Sequence, residues 1–142
     1  MPEKSTVTLV QEGDIITIDT GSPYLEQIVM DFTDEAEEDR RGYATSLLLS
    51  SAACCYTGNL RAALMARGVP FRKLTTRVVG TKDRNRTGAP RVVGIDIEVA
   101  VDCDAEYQEQ IDHCAKVARH CMITASLVES IPVTGRVIRS GE

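Results

Sequence analysis

The sequence has no tryptophan, and its aromatic residues, four Tyr and two Phe, make up only 4% of the chain. That leaves no stacking platform for bases or ring-bearing ligands. Basic residues are also in the minority, with 16 Lys and Arg against 21 Asp and Glu, a formal charge of -5 and no basic stripe. Nucleic acid, held mainly through Lys and Arg on phosphates, is therefore not an expected partner. An anionic membrane surface is disfavoured for the same reason. The opening "MPEKSTVTLV" lacks the basic-then-apolar pattern of a secretory leader. The uncharged run Gly42–Leu60 approaches bilayer length but carries Thr45, Ser46, Ser50, Ser51, Thr57, Gly58 and Asn59, too much polarity for a span. It reads as a buried helix of a cytoplasmic protein.

Cysteine is present five times, at 54, 55, 103, 114 and 121, and none of these forms a Cys-x-x-Cys pair. Without a leader, reduced thiols are expected rather than a disulfide scaffold. A metal site could be drawn from His113-Cys114 and His120-Cys121 with Cys54 or Cys55 opposite. The short ligand spacing of zinc sites is missing, so neither a metal nor another cofactor is expected. Cys103 and Cys114 read as small core residues, the commonest fate of a free cysteine.

With 142 residues the chain is long enough for one domain, 1–142, around a single core. "STVTLVQEGDIITIDT" reads as two strands turning at Gly13, and "YLEQIVMDF" as a third. A charged connection, "TDEAEEDRRGY", leads to a helix over about 44–67, which Gly68 and Pro70 terminate. Small residues on that helix (Ser50, Ser51, Ala52, Ala53, Gly58) suggest that it is covered on most sides. "FRKLTTRVVGTKD" and "PRVVGIDIEVAVDC" are two further strands, the second alternating Val93, Ile95, Ile97, Val99 and Val101 with polar residues. A second helix is expected after the N-cap Asp104, running unbroken through "EYQEQIDHCAKVARHCM" with Ile111, Cys114, Ala118, Cys121 and Ala125 on one face. "IPVTGRVIR" is a last strand. The order β-β-β-α-β-β-α-β predicts an α+β fold, antiparallel sheets wrapped on two apolar helices.

Each helix thus carries a thiol on an apolar face, Cys54 or Cys55 on the first and Cys121 on the second. "LLLSSAACC" and "ARHCMITASL", together with the terminal "IPVTGRV", resemble the OsmC/Ohr family of thiol peroxidases across essentially the whole chain. The resemblance implies an OsmC-like intertwined homodimer in which Cys55 is the first redox cysteine and Cys121 the second. It implies that Cys55 attacks an organic hydroperoxide, becomes a sulfenic acid and condenses with Cys121 to a disulfide that an external dithiol reduces. Leu48, Leu49, Ala52, Leu127 and Val128 are the residues expected to favour an apolar hydroperoxide.

Three positions depart from the family pattern. Ala44 and Thr45 stand where a Pro-Glu pair is usual, Met122 stands where a Pro follows the second cysteine, and "VQEGDII" holds no arginine. Arg40 and Arg41 are the candidate replacement cations, with Glu37 or Glu38 as anchors. These departures define a second expectation, an OsmC-like domain without peroxidase activity that binds a small apolar ligand or senses redox state.

Overall fold

The structure is a computed structural model describing residues 2–141. It comprises two compact units, the first ending at Tyr43 and the second beginning at Ala44. The first unit is an antiparallel sheet of β1 (Thr8–Glu12), β2 (Ile15–Ser22) and β3 (Leu25–Asp31). β1 and β2 turn at Gly13, whose φ of 58° suits a residue without Cβ, and Ile16 and Ile18 are its buried side chains. After a 3-10 turn at Glu37–Asp39, Arg40 ties the segment together. It donates to Asp14 at 2.7 Å and to the Glu35 carbonyl at 2.9 Å, and lies 5.9 Å over the Phe32 ring.

The second unit is built on α1 (Tyr43–Ala66), whose first residue belongs to the preceding unit. The helix buries one stripe, Ala52, Tyr56, Leu60 and Leu64, at the three-to-four-residue spacing that puts side chains on one face. Ser50, Ser51, Cys54, Gly58, Arg61 and Met65 are exposed in this chain, so the expected cover on most sides is not supplied within it. The helix ends as Gly68 predicts. Gly68, at φ 66°, donates to Met65 O and Val69 donates to Leu64 O, closing a Schellman motif over the buried Leu64 and Val69.

A mixed sheet receives that stripe. β4 (Lys73–Arg84) and β5 (Pro90–Asp102) form a long antiparallel hairpin, and β6 (Val133–Ser140) pairs with β5 in parallel, Ile95 beside Val133 and Asp102 beside Ser140. The expectation of antiparallel sheets thus holds for the first sheet, whereas the second is mixed. The cause is the helical crossover between β5 and β6, which returns the chain to the same end of the sheet. Ile95, Ile97, Val99 and Val101 of β5 are buried, while Asp96 is exposed.

The second expected helix is broken. Ala105–Tyr107 is a 3-10 turn, α2 spans Gln108–Ala118 and α3 spans Met122–Leu127. Cys121 turns extended, φ -83° and ψ 156°, and becomes the N-cap residue of α3 rather than a member of α2's buried face. Ile111, Cys114 and Ala118 hold that face as expected, but Ala125 is exposed. Asp104 does stand at an N-cap position. It makes no capping bond, because Arg72 takes its carboxylate at 3.1 Å.

Candidate active site

Cys55 and Cys121 meet where α1 passes the α2–α3 break. α1 brings Cys55, half-buried, to the start of α3, where the Ile123 N–H donates to its Sγ at 3.3 Å. That amide is one of the first-turn donors an α-helix leaves without an internal partner. Cys121, 3% exposed, is capped from within α3: its Sγ lies 3.1 Å from Thr124 Oγ1. The Thr124 hydroxyl has a single proton and three acceptors within reach of it, the Cys121 sulfur when ionised, Arg119 O at 2.9 Å and Cys121 O at 3.2 Å. Both cysteines are free thiols.

The two sulfurs are close enough to govern each other's ionisation. Burial pushes Cys55 above the usual 9.0, and the Cys121 sulfur adds to the rise against the opposing Ile123 and Met122 amides. Burial also works against ionisation of Cys121. There the Thr124 hydroxyl and amide, the Cys55 thiol and the Ile123 amide outweigh it and hold the pKa below 9.0. Two adjacent thiols do not both ionise readily, and the hydroxyl and amides around Cys121 favour the thiolate there.

Beside the pair is a cavity of about 360 Å³ lined by Tyr56, Arg119, Thr124, Ala125, Val128 and Val133, with His120 and Gly135 at its edge. Tyr56 is 1% exposed, the small remainder on the side that lines this cavity. Gly135 gives the ring its room, since a Cβ there would stand 2.5 Å from the hydroxyl. Burial raises the Tyr56 pKa, as does the charge of Cys121, so the phenol remains protonated at neutral pH.

Of the expected apolar lining, Val128 faces this cavity; Leu49 and Leu127 pack against the core, and Ala52 is buried within it. Cys54 is exposed rather than packed, and Cys103 and Cys114 lie in the core as expected. His120 accepts from Arg119 Nε at 3.4 Å, and His113 is exposed on α2. Arg40 is held by Asp14 and Glu37 in the first unit, while Arg41 is exposed and makes no ion pair among the described residues. The sequence reading missed Tyr56, Asn59, Thr124 and Gly135. Thr124 alone had a local signal, a hydroxyl three residues after Cys121, the spacing of a helix-capping pair.

The sequence matches the family described as OsmC-like protein over residues 38–135. The chain belongs to that family. No curated protein matches it. Among solved structures, an OsmC-like protein from Mycoplasma pneumoniae is 21% identical, with 98% of this chain and 99% of that one covered and a TM-score of 0.71. A hypothetical protein from Aquifex aeolicus VF5 is 13% identical, with 99% of each covered and a TM-score of 0.75. An organic hydroperoxide resistance protein from Elizabethkingia anophelis is 12% identical over 99% of each chain, with a TM-score of 0.69. These likenesses establish the OsmC/Ohr fold. Among the described residues no helix is long and apolar enough to cross a membrane.

Proposed function

We propose that the protein is a thiol-dependent peroxidase that reduces organic hydroperoxides with Cys55 and Cys121. The observation that carries this reading is the position of Cys55 Sγ, half-buried, on the Ile123 amide and against Cys121. Cys55 is the more accessible sulfur and attacks the terminal oxygen of the hydroperoxide, while its proton passes to the Cys121 thiolate. The S–O bond forms, the O–O bond breaks and the alkoxide leaves as the alcohol, taking the proton that Cys121 held. The regenerated Cys121 thiolate then attacks the Cys55 sulfenic sulfur, expelling hydroxide, which takes back from solvent the proton Cys121 had released on ionising and leaves as water. In sum, two thiols and a hydroperoxide become a disulfide, an alcohol and water. An external dithiol restores the thiols by exchange, consistent with a cytoplasmic setting and with a homodimer in which further cover reaches α1.

The cavity's apolar wall at Ala125, Val128 and Val133 supports an organic hydroperoxide over hydrogen peroxide. Steady-state consumption of cumene hydroperoxide with dithiothreitol as reductant tests the reading. It predicts turnover that Cys55→Ser abolishes and a lower kcat/KM for hydrogen peroxide; equal slow rates for wild type and Cys55→Ser would refute it. A second reading, an OsmC-like domain without peroxidase activity, is favoured by one observation: burial raises the Cys55 pKa, against the thiolate that a peroxidatic cysteine needs. It predicts inert thiols and uptake of a small apolar ligand in the cavity.

A further inference from the structure

α1 meets the α2–α3 break at two points one helical turn apart. At the first, Cys55 takes the Ile123 N–H. At the second, Asn59 Nδ2 donates to Val117 O at 2.9 Å and to Ala118 O at 3.3 Å. These are the last carbonyls of α2, where a helix end runs short of internal donors; Val117 O also accepts the His120 N–H at 3.1 Å. Residues i and i+4 of a helix share a face, so Cys55 and Asn59 present one edge of α1 to both sides of the break. The next carbonyl, Arg119 O, is taken by the Thr124 hydroxyl. The segment Arg119–Cys121 is therefore pinned to α1 before and after the turn that exposes Cys121 to Cys55.

We propose that Asn59 is the positioning residue of the thiol pair: its carboxamide fixes where α2 stops and thereby holds Cys121 within bonding reach of Cys55. The inference rests on the reading of Cys55 and Cys121 as the reacting pair. Asn59 touches neither sulfur and acts through the backbone of 117–121. With its donor removed, both carbonyls lose their tie to α1, Val117 O keeping only the His120 N–H, and the segment between α2 and α3 gains freedom. The second thiol then spends less time where a disulfide can form, and the effective concentration of Cys121 at Cys55 falls. The attack of Cys55 on a hydroperoxide is affected as well, because Cys121 takes the Cys55 proton in that step.

The direct test uses no peroxide. The full chain is equilibrated with mixtures of reduced and oxidised dithiothreitol, acid-quenched and mapped for the Cys55–Cys121 linkage. Asn59→Asp keeps the shape but places an acceptor against two carbonyl oxygens, and Asn59→Ala removes the side chain. Both are expected to lower the equilibrium constant for the disulfide by about tenfold, a modest fraction of what misplacing reacting groups can cost. Asn59→Gln, which keeps an N–H donor, is expected to fall between them and wild type. With cumene hydroperoxide, Asn59→Asp is expected to slow the first oxidation, in which Cys121 takes the Cys55 proton, and to accumulate a dimedone-trappable Cys55 sulfenate because disulfide closure slows further. Circular dichroism identifies any variant that fails to fold, and Asn59→Ala decides the matter if Asn59→Asp does. Equal constants in wild type and the folded variants would overturn the role of Asn59. A wild-type disulfide that forms with dithiothreitol but not with peroxide would instead overturn the peroxidase reading and leave Asn59 to be judged on the redox constants alone.

Discussion

The backbone amide of Ile123 donates to Cys55 Sγ at 3.3 Å, so a helix start contributed from far along the chain caps a thiol in the middle of α1. Cys55 lies about three turns into its own helix, beyond the reach of that helix's N-terminal field. The donors available to it come from α3. The same turn holds Cys121 against Thr124, and this shared scaffold gives the pair one low and one high ionisation.

Thr124→Val tests that asymmetry. In a chain whose other three cysteines are replaced, thiolate absorbance is expected to rise in two steps, one below the ordinary 9.0 of a cysteine and one above it. Without the hydroxyl the first step moves up toward 9.0. The stability consequence has a definite sign: with the folded Cys121 pKa below the unfolded value, the unfolded state binds more protons in between. The Cys121 contribution therefore grows as pH rises from the folded pKa toward 9.0 and is lost as pH falls through the folded pKa. Urea unfolding of wild type and Cys121→Ser across that interval measures it.

Cys54 and Cys55 should separate cleanly. They point about 100° apart on α1, and Cys54 is exposed while Cys55 packs beside Cys121. Cys54→Ser is expected to keep hydroperoxide turnover within about twofold, whereas Cys55→Ser loses it. The reverse pattern would place the reacting thiol one residue earlier.

Tyr56→Phe is expected to leave stability unchanged or raise it by up to about 1 kcal/mol, because the ring keeps its packing while a desolvated hydroxyl is removed. Gly135→Ala acts in the opposite direction. Its methyl would stand 2.5 Å from the Tyr56 hydroxyl, and such overpacking costs about 1–3 kcal/mol. Chemical denaturation of the two variants checks both signs.

The end of α1 should be sensitive at Leu64, which is fully buried beneath the Schellman turn. Leu64→Ala is expected to cost about 2–5 kcal/mol. Gly68→Ala, at φ 66°, should cost about 1–2 kcal/mol through its left-handed backbone. A Gly68→Ala variant as stable as wild type would mean that the turn is not held as described.

Local chemistry carried most of the fold. Gly13, Gly68 and the alternation of Ile95, Ile97, Val99 and Val101 each act within a few residues, and each element formed where those residues place it. The α2–α3 break was invisible because "ARHCM" contains no Gly or Pro and the apolar period runs through it unbroken. What stops α2 is a partner from a distant part of the chain: Asn59 takes the carbonyls of Val117 and Ala118. The parallel pairing of β6 with β5 is likewise a long-range outcome that no short pattern encodes. For the site, the two thiols were legible through resemblance. Their environment was not, because Tyr56, Thr124 and Gly135 matter only through where the helices bring them.

The central claim, that Cys55 and Cys121 form a working redox pair, is tested most directly by intact mass and peptide mapping. Fully reduced protein would be exposed briefly to stoichiometric cumene hydroperoxide. The account predicts rapid loss of two hydrogens and a single Cys55–Cys121 linked peptide. An unchanged mass, or slow oxidation scattered over all five cysteines, would contradict it.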